Sequence, residues 1–154
     1  MTLGSLNDSE KELFGRLKND DMISKMREYP HHGTMSVFDH CVNVVDMSLK
    51  IADKLSLDKR QKENIIVGGM LHDFFLYNWH EGRIREDGIH CWLHPKVALS
   101  NANTHFDLNK KQQNIIRSHM FPATILHPPM CIEAWVVSTA DKVCAVREYF
   151  ANRA

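Results

Sequence analysis

An excess of either charge is missing from this chain: nineteen lysines and arginines stand against nineteen aspartates and glutamates. Counterion release and membrane attraction both need a concentrated basic surface, so neither a nucleic-acid partner nor a membrane is expected. No run reaches the roughly eighteen apolar residues that span a bilayer. Met1 to Glu12 lacks the apolar core of a secretion signal, and a cytoplasmic location is the expectation. The four cysteines, Cys41, Cys91, Cys131 and Cys144, never approach a C-x-x-C spacing. That argues against a zinc ribbon, and a chain of 154 residues needs no disulfide scaffold. The cysteines read as buried thiols in a reducing compartment. No Gly-x-x-x-x-Gly-Lys-Ser/Thr loop and no Gly-x-Ser-x-Gly elbow occurs, which disfavours P-loop nucleotide enzymes and serine hydrolases.

Alternation of period two is missing as well, and no repeat, low-complexity tract or long linker interrupts the chain. The pattern predicts an all-α fold, a single-domain helical bundle over residues 1–154. Its core lies at about 30–150, with an N-terminal helix packed on it. That opening helix runs from Asp8 towards Tyr29, with a break near Asn19-Asp20-Asp21. Ser36 caps the next helix, whose inner face carries Val37, Cys41, Val44, Val45 and Leu49. A third begins near Asp58 and delivers His72-Asp73 at its end, with Gly68-Gly69 permitting close approach to a neighbour. From Phe74 to Leu93, aromatics, charges and two glycines mark a long loop able to cover a site. Pro95 opens a helix through Asn103, with His94 near its start. Another spans about Asn109 to Met120. A final helix turns Ile132, Trp135, Val136, Thr139, Ala140 and Val143 inward.

What the chain does have is histidine, ten in all, and position singles out the pair His72-Asp73 among His40, His94, His119 and Asp141. Imidazole and carboxylate are the ligands of hydrolytic metal centres. Buried without a partner, they carry a desolvation cost. Adjacent helical residues project about 100° apart. His72 and Asp73 can therefore serve two sides of a centre, the Asp73 carboxylate bridging two ions while Asp141 helps to balance their charge. Each residue alone has a plainer reading, as a partly buried histidine or a helix-end hydrogen-bonding pair. The six together point to one shared site.

The order H…HD…H…H…D, from His40 to Asp141, resembles the HD-domain superfamily of metal-dependent phosphohydrolases. The local strings Ser36-Val37-Phe38-Asp39-His40, Met70-Leu71-His72-Asp73, His94-Pro95-Lys96-Val97-Ala98, Ile116-Arg117-Ser118-His119-Met120 and Thr139-Ala140-Asp141-Lys142 carry the likeness, over about residues 30 to 150. The resemblance implies that His40, His72, Asp73 and Asp141 are primary metal ligands. It implies that His94 and His119 bind a second ion, as in the dinuclear branches, with Asp73 bridging. Asp73 and His72 then stand at the catalytic centre. The implied cofactors are divalent ions, two of them, from Fe, Mn, Co, Ni or Zn. The implied reaction cleaves a phosphomonoester, phosphodiester or phosphoanhydride of a small molecule of the nucleotide kind. One position departs from the family: many HD enzymes carry a basic residue a turn after the dyad, whereas this chain continues Phe74-Phe75-Leu76-Tyr77-Asn78.

Substrate contacts must then come from elsewhere, and His32, Arg83, His90, Lys96, Lys142 and Arg147 are the candidates, with Arg85 beside them. His31 and His32 either line the pocket or sit in solvent ahead of the His40 helix. Trp79, Trp92 and Tyr77 read as core-completing aromatics before base-stacking ones, and Trp135 as packing. Two other functions fit the same ligands: a non-catalytic nucleotide- or metal-sensing module, and an HD-like di-iron oxygenase.

Overall fold

The computed structural model describes residues 6–31, 34–80, 84–85 and 88–151, with the backbone alone at 84, 85 and 88. The chain is all-α, and five of its helices begin where a side chain satisfies free N–H groups of the first turn. Helix α1 (Asp8–Lys18) starts from Asn7, which forms a capping box with Glu10. The break near Asn19 is a fresh start: the Asp20 carboxylate accepts from the Met22 and Ile23 amides. Helix α2 (Asp21–Ser24) then passes into a 3-10 turn at Lys25–Glu28. Ser36 caps α3 (Val37–Lys54). Asp58 with Gln61 boxes α4 (Lys59–Leu71), and Asn109 with Gln112 boxes α6 (Lys110–Ser118). Helices α5 (His90–His105) and α7 (Ile132–Ala151) complete the set.

Helices α3, α4, α6 and α7 pack on one another, and α1 lies against α4. Their shared core includes Phe38, Val45, Ile65, Ile66, Met70, Ile116 and Val137, all essentially without solvent exposure. Gly68 sets the α4–α6 spacing: a Cβ there would meet the Ile115 side chain at 2.6 Å. Cys41 and Cys144 are buried, Cys91 and Cys131 half-buried, and all four are free thiols.

Three sequence expectations need correction. The segment from Phe74 to Leu93 is not loop throughout. It contains an antiparallel pair, β1 (Ile84–Arg85) with β2 (Gly88–Ile89), too short to show a period of two. Helix α5 begins at His90 rather than at Pro95, which sits inside it. The ring removes one N–H near the helix start, a defect the following turns tolerate. The inner face of α7 was also misplaced. Val136 and Ala140 are buried, but Ile132 and Trp135 are 42% and 47% exposed, and Thr139 faces solvent. Glu133, Ala134, Val137, Asp141, Cys144 and Glu148 are buried instead. Helix α7 is apolar on two sides, so periodicity alone could not say which side meets the core.

Candidate metal centre

Two of the histidines sit at equivalent places. His72 is the C-cap of α4 and His119 the C-cap of α6. A helix end leaves carbonyls without partners. Each ring turns back to one three residues earlier: His72 Nδ1 lies 2.7 Å from the Gly69 oxygen, and His119 Nδ1 lies 2.8 Å from the Ile116 oxygen. Inside α5, His94 Nδ1 turns back to the oxygen of His90, four residues earlier, at 2.9 Å. In α3, His40 Nδ1 meets the Glu148 carboxylate at 2.8 Å. All four rings thus donate through Nδ1 and are held with Nε2 pointing at the common centre.

The Nε2 atoms converge in two triads. In one, His40 Nε2 lies 3.1 Å and His72 Nε2 3.8 Å from Asp141 Oδ1. In the other, His94 Nε2 and His119 Nε2 lie 3.2 and 3.3 Å from Asp73 Oδ1. Asp73 spans both, since its Oδ2 is 3.6 Å from His72 Nε2 and 4.0 Å from His40 Nε2. Each triad offers one ligand atom per residue within 4.8 Å of the others. The six sequence-selected donors therefore lie together, and all six are buried.

The chemistry of this donor set fits a cation. Neutral imidazoles that donate through Nδ1 carry a lone pair on Nε2. His94 Nε2 and His119 Nε2 nonetheless stand 2.8 Å apart, with Asp73 Oδ1 against both. His72 Nε2 and Asp73 Oδ1 are buried with no hydrogen-bond partner among the described residues. Acceptors facing acceptors in a buried space need positive charge between them. Protons supply some of it: burial opposes the charge on His40, but Asp141 and Glu148 on its two nitrogens hold its pKa up at about 10. Burial likewise works against the Asp73 and Asp141 carboxylates, yet the surrounding imidazoles hold both well below the usual range.

Sequence reasoning missed Glu148 and left His31 undecided. Glu148 also accepts from Asn43 Nδ2 at 3.1 Å. It lies two helical turns after Asp141, so a residue-by-residue walk along that face reaches it. His31 stacks on His40 with ring centroids 3.7 Å apart, and its Nε2 is 3.6 Å from Asp73 Oδ2. With His40 and Glu148 it forms a third cluster able to hold a cation.

A cavity of about 660 Å³ opens over the triads. Its floor is His31, Asp73, His94, His119 and Asp141, and Trp79, Met120 and Pro122 stand in its walls. Of the expected substrate contacts, His90 lines this cavity, and Tyr77 Oη lies 2.8 Å from its Nδ1. Burial, with His94 beside it, pushes His90 down to about 3, so its ring is neutral. Lys142 also borders the cavity, but its ammonium already donates to the His119 oxygen, the Ser138 oxygen and the Ser138 hydroxyl. Lys96 and Arg147 are exposed and face elsewhere than this cavity. His32 and Arg83 lie outside the described residues, as does the Arg85 side chain.

Fold and site together define an all-α protein with a histidine- and aspartate-lined centre able to hold metal. The HD-domain family model matches residues 37–146, and the chain belongs to that family, whose members are generally metal-dependent phosphohydrolases. Neither a curated protein nor a solved structure gives a significant match. Among the described residues, no helix is long and apolar enough to cross a membrane.

Proposed function

We propose that the chain is a metal-dependent phosphohydrolase that cleaves a small phosphorylated molecule of the nucleotide kind, with one divalent ion in each triad. The observation that carries this reading is the buried set of mutually facing acceptors around Asp73, whose two oxygens reach separate groups of histidines. His40, His72 and Asp141 would hold one ion, His94 and His119 the other, and Asp73 both. Ions held there would supply an activated water at neutral pH and polarise a phosphoryl oxygen. The protein's own part is to fix the donors. Four Nδ1 hydrogen bonds set the ring tautomers, and burial excludes bulk water from the floor.

His90 takes over the phosphate contact that a lysine after the dyad makes in many relatives. Leu76 sits in the left-handed region at φ 52°, a conformation costing about 1–2 kcal/mol in a residue with a Cβ. The turn that follows sets Tyr77 against His90 Nδ1. With Nδ1 accepting from the tyrosine hydroxyl, Nε2 carries the proton and can donate to a phosphoryl oxygen in the cavity. Trp79, stacked on His90 at 5.1 Å and 12°, offers an apolar wall to the rest of the substrate.

The test is metal analysis followed by a panel of phosphomonoesters, nucleotides and dinucleotides, run on protein stripped and reloaded with single divalent ions. Turnover should need added metal and disappear in Asp73→Ala with the helical content retained. Tight nucleotide binding without turnover under any ion would make this a sensing module. Product formation that consumes dioxygen would make it an oxygenase.

A further inference from the structure

We propose that the outer face of α7 is a self-association surface on which a second copy of this chain packs, the two α7 helices running antiparallel across a two-fold axis. At 100° per residue, Ile132, Trp135, Thr139, Val143, Val146 and Phe150 fall within an arc of about 80° and form a stripe roughly 27 Å long. No charged residue lies inside that arc. The opposite side of α7 is buried in the bundle with Asp141 and Glu148. Ile132, Trp135, Val146 and Phe150 are nevertheless 42%, 47%, 57% and 64% exposed. An ordinary surface helix carries charge on its outer face, and a helix apolar all round is a buried one.

The area and the register both suit a copy of the same chain. The chain leading into α7 adds Ile125, Leu126 and Met130, exposed by 73%, 85% and 78%. Together these side chains offer an area on the order of the 800 Å² per partner that a standard interface buries. A two-fold axis near residue 141 sets Ile132 against Phe150 of the partner subunit, Trp135 against Val146 of the partner subunit, and Thr139 against Val143 of the partner subunit. Larger side chains thus meet smaller ones towards both ends of the stripe, and the slim Thr139 and Val143 at its centre let the helices approach. Such an isologous patch is self-complementary by construction. A membrane surface fits less well, because interfacial helices back their apolar face with a solvated basic one. Here that side is the core.

Sedimentation at micromolar concentration should give twice the 17.8 kDa chain mass. Trp135→Lys and Val146→Glu, at positions 47% and 57% exposed, should give monomers with unchanged helical content. Mixing the two variants should restore the dimer, since one contact becomes an ion pair and the other returns to the native pair. A monomeric wild type overturns the proposal, whether or not it binds neutral phosphatidylcholine vesicles. So does a dimer insensitive to both variants. Two monomeric variants that stay monomeric when mixed overturn the antiparallel register.

Discussion

At the scale of the residue, the candidate centre is built by what each histidine's far nitrogen touches. Glu148 shows this best: it does not line the cavity, yet its Oε2 at 2.8 Å is what aims His40 Nε2 at Asp141. Removing the charge while keeping the shape, as in Glu148→Gln, should weaken metal binding in the His40 triad by about 10–100-fold. Titrating stripped protein with manganese or cobalt checks this, and unchanged affinity would remove Glu148 from the site. That His40, His72, Asp73, His94, His119 and Asp141 lie together was legible in the sequence because their types, order and helical placement agreed. Glu148 was not, since one glutamate on a helix with other charges carries no chemical mark of its own. Lys142 was visible as a cation near the centre, but only the structure shows its three donors spent on the His119 and Ser138 oxygens and hydroxyl. A residue's type can be read from a sequence; its hydrogen-bond partners are set by packing.

At the scale of the element, two contacts decide whether α4 and α6 deliver His72 and His119 to the same place. One is the approach at Gly68. Gly68→Ala drives a methyl into the Ile115 Cγ2 and Cβ atoms, at 2.6 and 2.8 Å. The overpacking should cost about 1–3 kcal/mol in urea denaturation. It should also weaken the second ion more than the first, because α6 carries His119. The other contact is Glu133, fully buried at the start of α7, where Lys111 of α6 reaches it at 2.8 Å and Asn64 of α4 at 3.4 Å. Burial raises the Glu133 pKa, but the Lys111 ammonium and Asn64 outweigh it and leave the carboxyl below its ordinary value. A depressed carboxyl stabilises the fold above the unfolded value, near 4.3, and that contribution fades as pH falls through the folded one. Glu133→Gln should therefore be less stable than wild type at pH 7 by about 1–3 kcal/mol, with half-exposed Lys111 placing it at the low end. The gap should close in acid. The capping residues Ser36, Asp58 and Asn109 marked their helix starts in the sequence because capping is local chemistry. The faces of α7 did not, because Ile132 and Val137 look alike until a neighbour is known.

At the scale of the molecule, the centre is both the chemistry and a stitch through the bundle, since its donors come from α3, α4, α5, α6, α7 and the turn after α4. An ion held by the folded state alone stabilises it by mass action, so chelation should lower the melting temperature. The stripped protein should then show its own pH dependence. His40 has a pKa near 6.5 when unfolded and about 10 in the fold, where two carboxylates favour its charged form. A raised pKa gives stability that is complete below 6.5 and is lost as pH climbs towards 10. Chelated protein should thus weaken steadily from pH 6.5 to pH 9.5, while protein loaded with excess cobalt should not, because the ion replaces the proton. Denaturant midpoints for both forms across that range decide the matter. Parallel curves would mean that the cation and the His40 proton do not compete, and that the ion lies away from the His40–Asp141 pair.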